Sequence, residues 1–492
     1  MATHADLILA NRAYLDHAHP PGSGAQQATP NGGLLAAVRS AVAPADGSRG
    51  TTWIGIGRGR HDRDYVDATG LETIATPRGP LRHRRLFFDA STWDGHYVRC
   101  ANSFAWPLLH LVRVPLPDLV SYFPAPAIPS EAAWGAYEAV NRTVARAAMD
   151  EAQARTCWVH DYQLALVPTM LRHLGFGGRV GFFLHTPFPN LALARPYLDD
   201  RGLRCFAAML QGMLGADLIG FQTPADRDRF MDAASELCGA SAHGDRLYIE
   251  GRAVSLGAYP VGVATDDIDA AVPYARLPAA VDALQQPGLP FVASLERCDF
   301  TKGIPERLDA IARARRAGVG FTYAGIAAPT RTGVPAYDAI TRAVATAAAQ
   351  AEEAFIAGSV PSPILQLREA LPWEEVVATQ READVIFTSS LADGMNLVPL
   401  QAAVAQSSRP PGERAVLIAG RDAGVSQVYG GFAEHGLVSV DPLDPGALTS
   451  TFIRAVRGEL PRISDHLISE VRRHDAAHWA ESFMSDLEQA PC

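Results

Sequence analysis

The sequence is almost without lysine. Of its 43 basic residues, 42 are arginine and one, Lys302, is lysine. Guanidinium is a broad planar fork and ammonium a compact point charge. A single lysine kept against a general drift to arginine therefore marks a position that the fork does not serve. Cysteine is scarce too. The six residues Cys100, Cys157, Cys205, Cys238, Cys298 and Cys492 are scattered and include no CxxC, which excludes a disulfide framework and a zinc site of ordinary spacing. Positive charge is in deficit, with a net charge of −10, so neither nucleic acid nor an anionic membrane surface fits as a bulk partner. An anionic substrate must then be held by a local basic site. There is no basic-then-apolar leader and no apolar run of membrane length, and a cytoplasmic enzyme is expected. No internal repeat of about 20–50 residues is visible, nor a P-loop, a nucleophile elbow or a metal-ligand spacing. Gly55-Ile-Gly-Arg-Gly59 lacks the full spacing and the later acidic partner of a dinucleotide fingerprint. Asn141-Arg-Thr143 matches a glycosylation sequon by chance.

What is present is an ordinary globular composition, 48% hydrophobic and 20% charged over 492 residues, a length that calls for two or three domains. Short β-branched or aromatic runs alternate with longer Ala/Leu/Arg-rich stretches, the pattern of βαβ units on parallel sheets. Strands are expected near Thr51–Ile56, Thr156–Val159, Val180–Leu184, Leu218–Phe221, Phe291–Leu295, Phe321–Ile326, Val385–Thr388, Ala415–Ile418 and Leu437–Val440. Helices are expected at Gly33–Val42, Leu164–Leu174, Ile304–Ala317 and Leu397–Ala405, among others. The Pro/Gly-punctuated segment Ala258–Val263 separates two strand–helix series. The first domain is placed at 1–258, joined by a C-terminal helix at 471–492, and the second at 259–470. That last helix carries Trp479 and Phe483 one turn apart.

Ligands of open parallel sheets bind at the carboxyl ends of strands, and five stretches put polar residues directly after an apolar run. His160 and Asp161 follow the first, where Asp161 can serve equally as a helix cap. His185 ends the second, ahead of two prolines. Arg297 and Lys302 flank a turn into a helix N-terminus, an arrangement suited to a diphosphate. Asp393 and the backbone of Gly394 onwards follow the fourth, able to take sugar hydroxyls or phosphate. Arg331 follows the fifth, where a lone loop arginine is ordinarily solvated. Asn31-Gly-Gly-Leu34 offers a backbone that can approach a ligand.

Taken together these stretches resemble a known family. Trp158-Val-His-Asp-Tyr-Gln163, Gly181-Phe-Phe-Leu-His-Thr-Pro-Phe-Pro189, Gly220-Phe-Gln-Thr223, Glu296–Arg307, Asp393-Gly-Met-Asn-Leu-Val398 and His478–Leu487 are similar, in order and spacing, to the trehalose-6-phosphate synthases. The resemblance implies an α/β, GT-B fold: two Rossmann-like doubly wound domains facing across a cleft. The N-terminal domain would bind the acceptor and the C-terminal one the nucleotide-sugar. It implies transfer of glucose from GDP- or UDP-glucose to glucose 6-phosphate with retention of configuration, with no metal and no cofactor. By the same resemblance, Asp161, His185, Arg297 and Lys302 are the catalytic set. Gly33, Asp393, Gly394, Met395, Asn396, Leu397, Val398 and Gln401 would hold the donor. Arg12, Tyr97, Trp106 and Arg331 would hold the acceptor. The implied partners are small molecules, with a homo-oligomer open.

Two positions depart from the family pattern. Gln401 stands where the family has a glutamate that holds the nucleotide ribose, and Ile56 where it has a second tryptophan near the acceptor. The loop before Asn31 is long and unusual. A pseudo-glycosyltransferase joining a nucleotide-activated cyclitol to a phosphorylated amino-cyclitol is the nearest rival. A non-catalytic sugar-phosphate-sensing module is a rival of another class.

Overall fold

The computed structural model describes residues 5–23, 33–39, 50–76, 79–151, 154–356 and 364–491. The chain divides into two compact units. Unit 1 comprises Met1–Leu111, Ala125–Pro260 and Ala476–Cys492; unit 2 comprises Val112–Pro124 and Val261–Asp475. No helix among the described residues is long and apolar enough to cross a membrane.

Unit 1 is built on β1 (Leu7–Leu9), β2 (Thr52–Ile56), β3 (Leu71–Thr76), β4 (Gly79–Leu86), β5 (Thr156–His160), β6 (Arg179–Phe183), β7 (Leu218–Phe221), β8 (Ser241–His243), β9 (Arg246–Ile249) and β10 (Arg252–Ala258). They form one sheet in the order β3-β4-β2-β1-β5-β6-β7-β10-β9-β8. The run from β4 to β10 is parallel, and antiparallel strands stand only at its edges. All five residues of β5 are buried, as expected of a parallel strand covered on both faces. The chain runs from β1 outward to β2 and β4, then returns to β5 on the other side of β1. The order therefore reverses between β1 and β5, and a crevice opens outside the carboxyl ends there.

The last helix, Ala476–Gln489, closes unit 1. Trp479 and Phe483 are buried, and Phe483 stacks on Trp158 with ring centroids 4.7 Å apart. A Cβ on Gly181 or Gly220 would lie 2.7 or 2.8 Å from the Phe483 ring. Two glycines in adjacent strands thus let the ring reach the sheet.

Unit 2 carries a wholly parallel sheet of β11 (Phe291–Arg297), β12 (Thr322–Ala328), β13 (Ile364–Leu367), β14 (Val385–Phe387), β15 (Val416–Gly420) and β16 (Leu437–Val440), in the order β13-β12-β11-β14-β15-β16. Its order reverses between β11 and β14.

Several expected boundaries shift. The units meet at Pro260/Val261 and Asp475/Ala476 rather than at 258/259 and 470/471. Residues Val112–Pro124 belong to unit 2, which no feature of the sequence announces. Contacts decide it: Arg113 Nε bonds both carboxylate oxygens of Asp422, at 3.0 and 2.7 Å. Tyr122 donates to Glu306, and Phe123 packs edge-on to Phe300 at 4.9 Å. The helix expected at Leu164–Leu174 is a 3-10 turn, Tyr162–Leu164, followed by Val167–His173 with Pro168 in its first turn. That of Leu397–Ala405 begins at Val398, and that of Gly33–Val42 is described from Gly33 to Arg39. Asn31 and the loop before it lie outside the described residues. Asn141 is wholly buried and bonded to Tyr137 O, Gln163 O and Leu166 N, which leaves no room for a glycan. The Gly55–Gly59 stretch serves packing: a Cβ on Gly55 would sit 2.5 Å from Arg12 O.

Candidate active site

In unit 1 the candidates gather at the sheet's reversal point. Arg12 follows β1 and Asp161 follows β5. The segment carrying Arg12 is pinned by Trp53, whose Nε1 donates to Arg12 O at 2.9 Å. Asp161 adopts φ 73° and ψ 165°, a region that side-chain-bearing residues avoid and that costs about 1–3 kcal/mol. Its side chain caps no helix and accepts instead from His185 N–H at 3.3 Å, which decides against the capping role. Its own N–H donates to Phe183 O at 2.8 Å. The strain is thus held by bonds to the neighbouring strand's end.

His185 follows β6 and meets His160 at the end of β5, with Nε2 3.0 Å from His160 Nδ1. Burial pushes His160 down to about 3. Burial, and then His160 beside it, hold His185 well below its ordinary value. Both rings are therefore neutral at pH 7, and one must donate to the other. His160 Nε2 and His185 Nδ1 are buried with no hydrogen-bond partner. Trp479 packs against His185 at 5.8 Å, so the C-terminal helix supports this pair from beneath.

Tyr97 lies in a π-helix, Asp94–Ala105, an element often found at functional sites. It stacks on Trp93 at 4.4 Å, whose ring lies 4.1 Å from the Arg58 guanidinium. Trp106 is buried and packs on Tyr162 at 5.8 Å, next to Asp161 in sequence. Ile56 is buried at the end of β2.

In unit 2 the candidates straddle the other reversal point. The turn after β11 carries Arg297 and Lys302; the turn after β14 carries Asp393. Lys302 Nζ forms an ion pair with Asp393, which also accepts from Ser390 Oγ at 3.2 Å. Beneath the turn lies Asp299, wholly buried, accepting from Arg331 and from Tyr337 Oη at 2.9 Å. Burial works against its ionisation, yet Arg331, Arg297 and Lys302 together hold its carboxyl well below the usual range. Arg331 is thus an anchored member of a charge network and not a solvated loop arginine. Gly303 sits at φ 59°, where a Cβ would meet Ser389 O at 2.1 Å. Glycine is required there for the turn to pass the β14 turn closely enough for Lys302 to reach Asp393.

The segment after Asp393 is clamped from below. Gly424 N–H donates to Asp393 O at 3.1 Å and Val425 N–H to Met395 O at 2.7 Å. Asn396 takes φ 65°, and its Oδ1 accepts from Val398 N–H at 3.3 Å. No described residue accepts from the N–H groups of Gly394, Met395 or Asn396, so three consecutive donors stand ready for an oxygen-rich ligand. Leu397 and Val398 are half-buried at the helix entry. Gln401 lies one turn on, and its Oε1 already accepts from Gln380 at 3.2 Å. Of the four non-glycine residues with positive φ among those described, three are Asp161, Arg331 and Asn396. Such strain concentrates at functional sites. Gly33 opens the helix Gly33–Arg39. Among the described residues no group of three or more His, Cys, Asp or Glu could hold a metal.

The family model of glycosyltransferase family 20 matches residues 7–489. This chain belongs to glycosyltransferase family 20. An Aspergillus niger relative, the UDP-forming alpha,alpha-trehalose-phosphate synthase 2, is 28% identical over 508 residues, 99% of this chain and 97% of its own. A trehalose-6-phosphate structure from E. coli bound with UDP-2-fluoro glucose superposes with a TM-score of 0.78 at 25% identity, covering 98% of each chain. A UDP-forming alpha,alpha-trehalose-phosphate synthase from Burkholderia xenovorans in complex with glucose-6-phosphate gives 0.76 at 25% identity, covering 98% of this chain and 99% of its own. The family-20 chain is a glycosyltransferase with the GT-B fold.

Sequence reasoning did not see several pairings around these candidates. Asp299 and Tyr337 anchor Arg331, and His160 pairs with His185. Asp299 and His160 lay within the quoted motifs; only their burial and partners were hidden. Tyr337 sits six residues beyond Arg331 and carried no signal.

Proposed function

We propose that this glycosyltransferase moves glucose from UDP-glucose to glucose 6-phosphate and forms trehalose 6-phosphate, in the cytoplasm. The observation that carries the reading is the Lys302–Asp393 pair across the unit 2 reversal point, with Arg297 beside the same buried Asp299. Charge builds on a departing diphosphate as the glycosidic bond stretches. Cations already held in place favour that state over the bound ground state and need no reorganisation. Lys302 and Arg297 are assigned the diphosphate. Asp393, with the free amides of Gly394 to Asn396 and the helix entry at Leu397 and Val398, is assigned the donor sugar. His185 is assigned to the same sugar, and Gly33 to the loop that closes on the donor. Asp161 is assigned the acceptor hydroxyl, and Arg12, Tyr97, Trp106 and Arg331 the acceptor. No carboxylate pair of hydrolase type is called on, and the nucleotide-sugar is a substrate and not a resident cofactor.

UDP-glucose is preferred to GDP-glucose because the relatives named above are UDP-forming or bound with a UDP sugar. Gln401 adds no charge at the ribose position, and one lone pair of its Oε1 accepts from Gln380. Gln401 is assigned the ribose through its remaining lone pair and amide N–H groups, without a charge.

A donor-by-acceptor matrix, read by free nucleoside diphosphate and product mass, tests the reading. UDP release from UDP-glucose only when glucose 6-phosphate is present is expected. Turnover solely with an amino-cyclitol phosphate would move the assignment to the pseudo-glycosyltransferase. Tight binding with no turnover for any pair would leave a sensor.

A further inference from the structure

The opposite edge of the unit 1 sheet carries a feature that the glycosyl-transfer reading does not use. β5, β6, β7 and β10 are neighbours and parallel. Their amino ends therefore line one edge, a strand's length of about 17 Å from the carboxyl ends. At that edge stand Arg155 just before β5, Arg179 as the first residue of β6, Asp217 just before β7, and Arg252 as the first residue of β10. Together with Arg172 from the helix Val167–His173 they line a cavity of about 560 Å³. Its size is in the range of small-molecule sites and well above the roughly 30 Å³ of one water.

The charge in this cavity is not balanced. Four arginines face two carboxylates, Asp217 and Glu151, an excess of two positive charges in a chain whose net charge is −10. Asp217 is already shared between Arg172 and Arg252 and accepts Val180 N–H at 2.8 Å. Glu151 is drawn to Arg82 at 3.0 Å. Arg172 and Arg252 direct most of their remaining donors to the backbone oxygens of Phe176, Gly178 and the 214–216 turn. Arg155 and Arg179 are left over. Arg155 is exposed, and Arg179 Nη1 is buried with no hydrogen-bond partner. A buried guanidinium donor without an acceptor is costly and calls for an anion.

The turn before Arg179 adds backbone to the lining. No described residue accepts from the N–H groups of Gly177 or Gly178. A Cβ on Gly178 would lie 2.5 Å from Arg155 O, so glycine brings this turn against the strand that carries Arg155.

We propose that this cavity is a second binding site, for the dianionic phosphate of a small phosphorylated metabolite, taken by Arg155, Arg179 and the Gly177–Gly178 amides. Guanidinium forks and backbone N–H groups are the usual partners of phosphate, and the volume leaves space for the ester's organic part. The site lies at the other end of the strands that carry Asp161 and His185, and it is independent of the reaction assigned to them.

Equilibrium dialysis of the full-length chain against inorganic phosphate and glycerol 2-phosphate tests it. One saturable site is expected that Arg12→Ala leaves intact and that Arg155→Glu or Arg179→Gln weakens by about tenfold or more. Arg155 is exposed, so R155E should melt like the unaltered protein and keep its turnover, which separates lost binding from lost folding. Tighter binding of glycerol 2-phosphate supports an ester as the occupant; tighter binding of inorganic phosphate supports the anion site but overturns the ester. Equal phosphate binding by R155E and the unaltered chain, or binding that never saturates, would overturn the site altogether.

Discussion

The two units place their chemistry at the same topological spot and arm it with different groups. In each sheet the strand order reverses once, and the candidate residues follow the two strands that flank the reversal. In unit 1 they include two desolvated histidines bonded to each other and Asp161 in a conformation suited to glycine, beside Arg12. In unit 2 they are ionised and interlocked, with Lys302 on Asp393 and Arg331 on the buried Asp299. Shared topology fixes where a site can be. The partners that the fold brings to each buried group decide whether it holds charge or avoids it.

That contrast can be broken most forcefully at Asp299. Replacing it by asparagine leaves Arg331 facing a neutral group, and losing one partner of a buried pair should cost about 3–5 kcal/mol. A urea midpoint that barely moves would show that the network does not hold unit 2 together. Next, Lys302→Ala should lower kcat by the equivalent of about 2–4 kcal/mol with unit 2 still folded. Steady-state kinetics alongside circular dichroism separate the two effects.

Acid should distinguish the units. His96 and His160 in unit 1 are pushed by burial from 6.5 to about 3. A group whose folded value lies below its unfolded value contributes stability that is complete above the unfolded value and declines as pH falls towards the folded one. Each histidine should thus cost unit 1 about 2 kcal/mol by pH 5. Asp299 also has a depressed value, but its ordinary value is 3.8, so its contribution to unit 2 fades only below that. The buried Glu296 and Glu306 of unit 2 are raised by burial, and mild acid relieves them. Hydrogen exchange corrected for intrinsic rate should show β5 and β6 opening at pH 5 while β11 and β14 stay protected. Simultaneous opening would contradict the contrast.

Smaller effects sharpen it. Asp161→Gly removes the backbone strain and should raise unit 1 stability by about 1 kcal/mol while activity collapses. A destabilised variant would mean that the carboxylate's bond to His185 N–H outweighs the strain. Gln401→Glu should lower the KM for UDP-glucose a few-fold at most, because Gln380 can still donate to the new carboxylate. A KM that does not fall would place the ribose contact elsewhere.

The sequence by itself determined the class of architecture, the strands and their carboxyl-end motifs, because apolar runs, turn residues and helix starts are local signals. The motif set was also legible as a family, down to the single lysine. The tertiary structure alone decided that Val112–Pro124 joins unit 2, that His160 and His185 pair, that Asp299 anchors Arg331, and that four arginine-bearing elements share one cavity. Each of these joins residues far apart in the chain or turns on burial. Whether a charge is paired or desolvated depends on which neighbours the fold brings to it, and no local pattern encodes that.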